Sequence, residues 1–350
     1  MNHQHTNPLL PGVPLALGSA VLFGATPLLS KLLLREVHPL VLAGLLYLGA
    51  GLGLAVYRGL RRATDKEAPI GAPDLPWLAL AIGAGGVIAP LLLMLGLTAT
   101  TASSAALLLN LEGVATMVIA WVVYKENVDR RLLVGAFAIL AGACLLSWTG
   151  SGIEIDGGAL LIAGACLAWG LDNNFTRRIS GGDPVVIAMA KGLVAGTVNL
   201  ALGLLAGASL PGALTMLAAA LTGFFVIGVS LVAFILALRH LGTARTGAYY
   251  SLAPFLGAAL SVAVLDDPLT IKLLFAGALM AIGLWLHLTE QHDHEHHHDA
   301  IEHEHSHVHD PHHRHAHDGE VSEPHSHWHQ HAPMTHKHPH YPDLHHRHGH

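Results

Sequence analysis

Between residues 12 and 288 the chain is built from ten runs of roughly twenty predominantly apolar residues. Few folds tolerate that pattern. A hydrocarbon core roughly 30 Å thick is crossed by about 20 helical residues. In lipid, only helices and closed barrels satisfy their own backbone, and these runs lack strand alternation. The sequence therefore predicts an all-α membrane protein with ten transmembrane helices. They lie near 12–34, 39–58, 75–96, 101–124, 131–149, 157–179, 184–206, 213–238, 244–265 and 270–288.

Charge divides the chain in two. Only 12% of the residues are charged, against about 25% in ordinary soluble domains. Residues 1–290 hold 15 basic and 14 acidic side chains, whereas the last 60 residues hold 24 of the 29 histidines, 10 acids and 3 bases. An apolar body thus precedes a polar tail, and the net charge of −6 comes from the tail. Nothing in this balance suggests nucleic acid; the expected partners are the lipid bilayer, a small solute or metal ion, and a second copy in a homodimer. The N-terminus lacks the basic stretch and cleavage site of a secretory signal, so the first run reads as an uncleaved anchor. Cys144 and Cys166 fall in different apolar runs and read as small buried hydrophobes.

The body repeats itself. Ser104–Glu126 returns weakly 141 residues later as Arg245–Asp267. Each copy is an apolar helix ending in an acid (Glu126, Asp267), with a helix-bending residue thirteen positions earlier (Gly113, Pro254). Phe23–Lys31 likewise matches Trp169–Arg177. Five spans per half is an odd number, so the halves, 12–149 and 157–288, must insert in opposite senses. Inverted repeats of this kind rock about a midplane site. Lys and Arg cluster in alternate loops, after spans 2, 4, 6 and 8 (Arg58, Arg61, Arg62 and Lys66 in the first). That bias predicts both termini, and the tail, in the cytoplasm of a bacterial-type inner membrane.

The residues resemble a known family at this point. Ala168–Ile179 (AWGLDNNFTRRI), Leu111–Glu126 (LEGVATMVIAWVVYKE) and Ser251–Thr270 (SLAPFLGAALSVAVLDDPLT) resemble the drug/metabolite transporter superfamily, EamA type. The resemblance spans nearly all of 12–288 and implies the five-plus-five fold. It also implies export of amino acids, metabolites, drugs or other small solutes, with no shared cofactor or catalytic set. Asp267 stands where a Glu is usual, and Gly113 where a proline commonly follows the acid.

Within the spans, Glu112 sits about ten residues into a helix, near the bilayer midplane, where an ionised carboxylate must pair, face water or take up a proton. It reads either as a structural acid or as the coupling or substrate group. Thr116 lies one turn further along the same face. Asp172 and Lys191 lie at matching depths on antiparallel neighbours, so an ion pair is expected, structural or functional. Asn173 and Asn174 follow Asp172, and only one of them can share its face. Pro27, Pro90 and Pro254 interrupt spans 1, 3 and 9, as packing kinks or as hinges. Tyr249 and Tyr250 read as cavity-lining or interfacial.

The tail, 291–350, has too few apolar residues for a core and is expected to be disordered without ligand. Its alternating histidines (His303, His305, His307, His309 and His325, His327, His329, His331) are a multi-site ligand set for Zn, Ni, Co or Cu. No soft-metal cluster is visible within the spans.

These readings converge on a proton-coupled secondary exporter rather than an enzyme, with no cofactor for transport. Its leading cargo is a divalent transition metal collected or sensed by the tail. A metabolite, amino-acid or drug exporter with a buffering tail is the alternative, and a membrane-tethered metal store is a third reading.

Overall fold

The computed structural model describes residues 12–60, 70–124, 128, 130–148, 156–179, 182–241, 249–288, 295–298, 301–307, 325–331 and 334–337. Among the described residues, eight helices are long and apolar enough to cross a membrane. They are helix 1 (Gly12–Leu33), helix 2 (Pro39–Leu60), helix 3 (Ala72–Ala99), helix 4 (Ala102–Val123), helix 5 (Arg130–Ser147), helix 7 (Pro184–Leu205), helix 8 (Ala213–Phe234) and helix 10 (Ile271–Leu288). Helix 6, Gly157–Ile179, is 23 residues long. It turns polar from Asp172 onward and is not among the eight. Helix 9, Ala253–Leu265, is 13 residues long, and residues 242–248 before it lie outside the described set.

Small residues let these helices approach. Apolar contacts between helices gain little in lipid, so close backbone packing must hold them. A Cβ on Gly192 in helix 7 would stand 2.6 Å from the Gly51 nitrogen in helix 2. One on Gly142 in helix 5 would stand 2.9 Å from the Ala276 oxygen in helix 10. Gly257 joins three helices: it packs on Gly24 of helix 1, and its Cβ would stand 3.1 Å from the Ala106 side chain of helix 4.

Five helices are interrupted part-way along. Helix 1 breaks at Ala25, two residues before Pro27. Helix 4 breaks at Leu109–Asn110, and helix 9 starts after a turn at Ser251–Leu252, just before Pro254. Helices 3 and 8 instead widen into π-helical turns, at Ile82–Ile88 and Phe224–Val229. The breaks of helices 4 and 9 are 142 residues apart, as are the starts of the π-turns of helices 3 and 8. The sequence expected Gly113 to bend helix 4. It does not: Gly113 stands in open space inside the continuous helix Leu111–Tyr124. Asn110 ends the preceding turn, its amide donating to the Leu107 carbonyl at 2.8 Å.

The acid after helix 9 bridges to helix 4. Asp267 accepts from the Ser103 backbone N–H at 2.8 Å, capping a helix start 164 residues away. Lys31 donates to the Leu97 and Thr100 carbonyls at the end of helix 3. The helix 3–helix 4 turn is thus gripped by a cation on its carbonyls and an anion on its amides, each matching the local helix dipole. Glu126, the corresponding acid of the first half, lies outside the described residues.

Four short segments of the tail are described, and they are strands. Glu295–His298 pairs antiparallel with Met334–Lys337, and Ile301–His307 with His325–His331. The register sets His303 opposite His329, His305 opposite His327 and His307 opposite His325. A period-two pattern is that of a strand, which the polar composition had hidden. His309 lies outside the described residues.

Candidate functional site

The break at Leu109–Asn110 places Glu112 in the first turn of a half-helix, not in mid-helix. The helix dipole there favours its carboxylate. Glu112 Oε1 accepts from Asn173 Nδ2 at 2.9 Å. The same amide donates to Thr116 Oγ1 at 3.1 Å, and that hydroxyl donates to the Glu112 carbonyl at 2.9 Å. Glu112, Thr116 and Asn173 therefore form one unit across helices 4 and 6.

Helix 6 docks there because Gly170 leaves no side chain in the way. A Cβ on it would stand 2.9 Å from both the Ala115 side chain and the Thr116 nitrogen. Asn174 seals the contact, donating to the Thr116 and Gly170 carbonyls at 3.2 and 2.8 Å. Both asparagines thus turn to helix 4, and neither bonds Asp172.

Asn173 is exposed, although it does not face lipid. The lipid face of helix 6 carries exposed Leu160, Leu167 and Leu171. Asn173 is two residues on from Leu171, about 200° round the helix. Its exposure is on the opposite side of helix 6 from that leucine face, toward Glu112 and Thr116 of helix 4.

Asp172 and Lys191 form the expected pair. The ammonium meets the two carboxylate oxygens at 2.6 and 2.7 Å, with side chains 17% (Lys191) and 8% (Asp172) exposed. Thr176, one turn on, donates to Asp172 Oδ1 at 2.9 Å and accepts from Lys191 at 3.3 Å. The pair neutralises itself, so the Glu112 carboxylate, with a neutral amide for its side-chain partner, is the uncompensated charge of this group.

The π-turn of helix 3 supplies the floor. Pro90 has no N–H to offer either the Gly85 or the Gly86 carbonyl. Other helices capture both. The Tyr47 hydroxyl and the Trp169 indole donate to Gly85 O at 2.9 and 3.0 Å, and Asn199 Nδ2 donates to Gly86 O at 3.0 Å. Sequence reasoning missed Tyr47, Trp169, Thr176 and Asn199. A signal existed for one: Asn199 is an amide inside an apolar helix, which demands a partner.

Interrupted helices around a shared polar chamber are the architecture of a polytopic membrane transporter. The match to the EamA-like transporter family covers residues 10–148 and 156–289, and the chain belongs to that family. An uncharacterized transporter of Methanothermobacter thermautotrophicus is 29% identical over 286 residues, covering 77% of this chain and 83% of that protein. A solved crystal structure shares the fold, with a TM-score of 0.57 at 19% identity over 79% of this chain and 95% of the other.

Proposed function

We propose that this transporter is a proton-coupled exporter of a small organic solute, and that Glu112 is the group proton and solute occupy in turn. Ten spans in two inverted halves, with both termini in the cytoplasm of a bacterial-type inner membrane, complete the reading. The observation that carries it is the contrast between the two carboxylates of the chamber. Asp172 is held by Lys191. Glu112 has a neutral amide for its side-chain partner. A carboxylate that exchanges ligands must be free to change charge, and one locked to an ammonium is not.

A test uses the purified full chain in liposomes loaded with a pH-sensitive dye. Addition of a transported solute moves protons in the opposite direction, and Glu112→Gln abolishes the exchange while Gly83→Ala retains it. Solute movement that persists in Glu112→Gln sinks the coupling role.

The tail favours a second reading, in which a divalent transition metal (Ni, Co or Zn) is the cargo. Its support is the ladder of opposed histidine positions between Ile301–His307 and His325–His331. Against it, no group of three or more His, Cys, Asp or Glu that could hold a metal occurs among the described residues. The tail then acts as a cytoplasmic collector or sensor rather than as part of the path. Metal content under nickel, cobalt and zinc stress separates the readings. A metal exporter loses its effect with Glu112→Gln, whereas a metal buffer loses it only on truncation after Glu290.

A further inference from the structure

Three aromatic rings meet where helix 1, helix 8 and the residues just before helix 9 pack together. The Phe23 and Tyr250 centroids lie 5.4 Å apart, and those of Phe234 and Tyr250 lie 4.7 Å apart. Backbone packing brings them together. A Cβ on Gly24 would stand 2.5 Å from the Ala253 oxygen, so helix 1 rides on the start of helix 9 and Phe23 reaches Tyr250. Helix 8 is fixed to helix 1 by Ser230, which accepts from Ser19 Oγ at its carbonyl at 2.7 Å. Phe234 follows Ser230 by one turn, on the same face.

These rings point inward and yet are not sealed. Val21 marks the lipid side of helix 1, and Phe23 is about 200° round from it. Phe23, Phe234 and Tyr250 are each partly accessible. Helix 9 packs through Gly257 on Ala106, just before the helix 4 break that precedes Glu112. Ser103 at the start of helix 4 meets Asp267 beyond the end of helix 9, so the two run antiparallel, and counting six residues on from Ala106 and seven back from Gly257 brings Glu112 and Tyr250 to similar depth.

We infer that the solute is an organic amine, its protonated nitrogen held by Glu112 and Asn173 and its apolar part lodged against Phe23, Phe234 and Tyr250. Two features of the chamber select it. Among the described residues its uncompensated charge is the Glu112 carboxylate, which suits a monovalent cation and leaves a free carboxylate ligand unmatched. The neighbouring cluster is aromatic, and aromatic rings carry a negative quadrupole that favours a cation and an area that favours hydrocarbon. A hydrated divalent ion gains from neither ring contact nor a lone carboxylate. This inference rests on the exchange reading above and names the class of solute.

The test is isothermal titration of the purified full chain with ethylamine, phenethylamine and benzyltrimethylammonium, against 2-phenylethanol, phenylacetate and nickel chloride. An aromatic amine or ammonium is expected to bind roughly ten- to a hundredfold more tightly than the neutral alcohol. Glu112→Gln removes that preference. Tyr250→Leu weakens amine binding by roughly five- to thirtyfold, while Tyr250→Phe keeps it. Size-exclusion chromatography checks that both Tyr250 variants are folded. The inference is overturned if none of the three cations binds, if alcohol and amine bind alike, or if Tyr250→Leu changes nothing while still folded. The dye-loaded liposomes separate the two claims. Amine binding without proton movement sinks the exchange and leaves the site intact. Proton movement driven by phenylacetate or 2-phenylethanol instead keeps the exchange and sinks the amine.

Discussion

The Asp172 carboxylate fills the volume that a side chain on Gly85 would need: a Cβ built there would overlap Asp172 Oδ2. The π-turn of helix 3 and the ion pair of helices 6 and 7 are thus one packed object. Gly85→Ala is expected to push the carboxylate off Lys191 and cost about 1–3 kcal/mol from overpacking alone. Gly83 lies in the same turn and faces open space. Gly83→Ala should leave the melting temperature and transport close to those of the unaltered chain. Thermal melting of both variants in detergent checks the contrast. Equal loss in the two would mean that the carboxylate is not what Gly85 accommodates.

Removing one member of the Asp172–Lys191 pair should be worse than removing both. A buried charge left alone costs about 3–5 kcal/mol, whereas replacing both partners by neutral groups is often close to neutral. Asp172→Asn and Lys191→Met should each lower the yield of monodisperse protein, and the double variant should recover it. Recovery of folding with continued loss of transport would assign the pair a part in the cycle. Recovery of both would make it structural.

Asp266 has φ of 55°, in the left-handed region, and so turns Asp267 back onto Ser103. Asp266→Gly should be tolerated or slightly stabilising. A β-branched residue there should cost about 1–2 kcal/mol, because its Cβ crowds the carbonyl. Asp267→Ala should cost about 1 kcal/mol from the lost helix cap. It should also loosen the grip on the helix 3–helix 4 turn, read as faster labelling of a cysteine placed at Thr101. Unchanged labelling would show that Lys31 alone holds the turn.

The tail should bind several transition-metal ions per chain, all removed by EDTA. The histidines are many, their register repeats, and closed Cys-containing sites are missing from the sequence. Equilibrium dialysis with zinc should show stoichiometric loss in the chain truncated after Glu290. Retained binding after truncation would place the ions in the body instead.

Much of the architecture is legible in the chain itself, because lipid leaves so few choices. The apolar runs give the helices, and the Asp172–Lys191 pair follows from antiparallel depth. What escapes is whatever depends on helix rotation. Glu112 is visible as a buried acid, but its place at a helix start rests on the break at Leu109–Asn110, which no proline or glycine marks. The turn of Asn173 toward Glu112, rather than toward its sequence neighbour Asp172, follows from the Gly170 contact. That contact looks like any other small residue in an apolar run. Tyr47 and Trp169 could not be tied to the Gly85 carbonyl before the π-turn that frees it was seen.

That π-turn has a further consequence for anyone who edits the chain. A π-turn holds one residue more than the α-helix around it needs. Deleting one residue from Ile82–Ile88 should therefore leave a regular helix instead of a broken one, with Ala89 to Ala99 kept on the faces they now occupy. Helix 8 carries the same surplus at Phe224–Val229. A single-codon deletion in either would be taken up within the turn itself, so these two stretches are where the chain should best survive the loss of a residue.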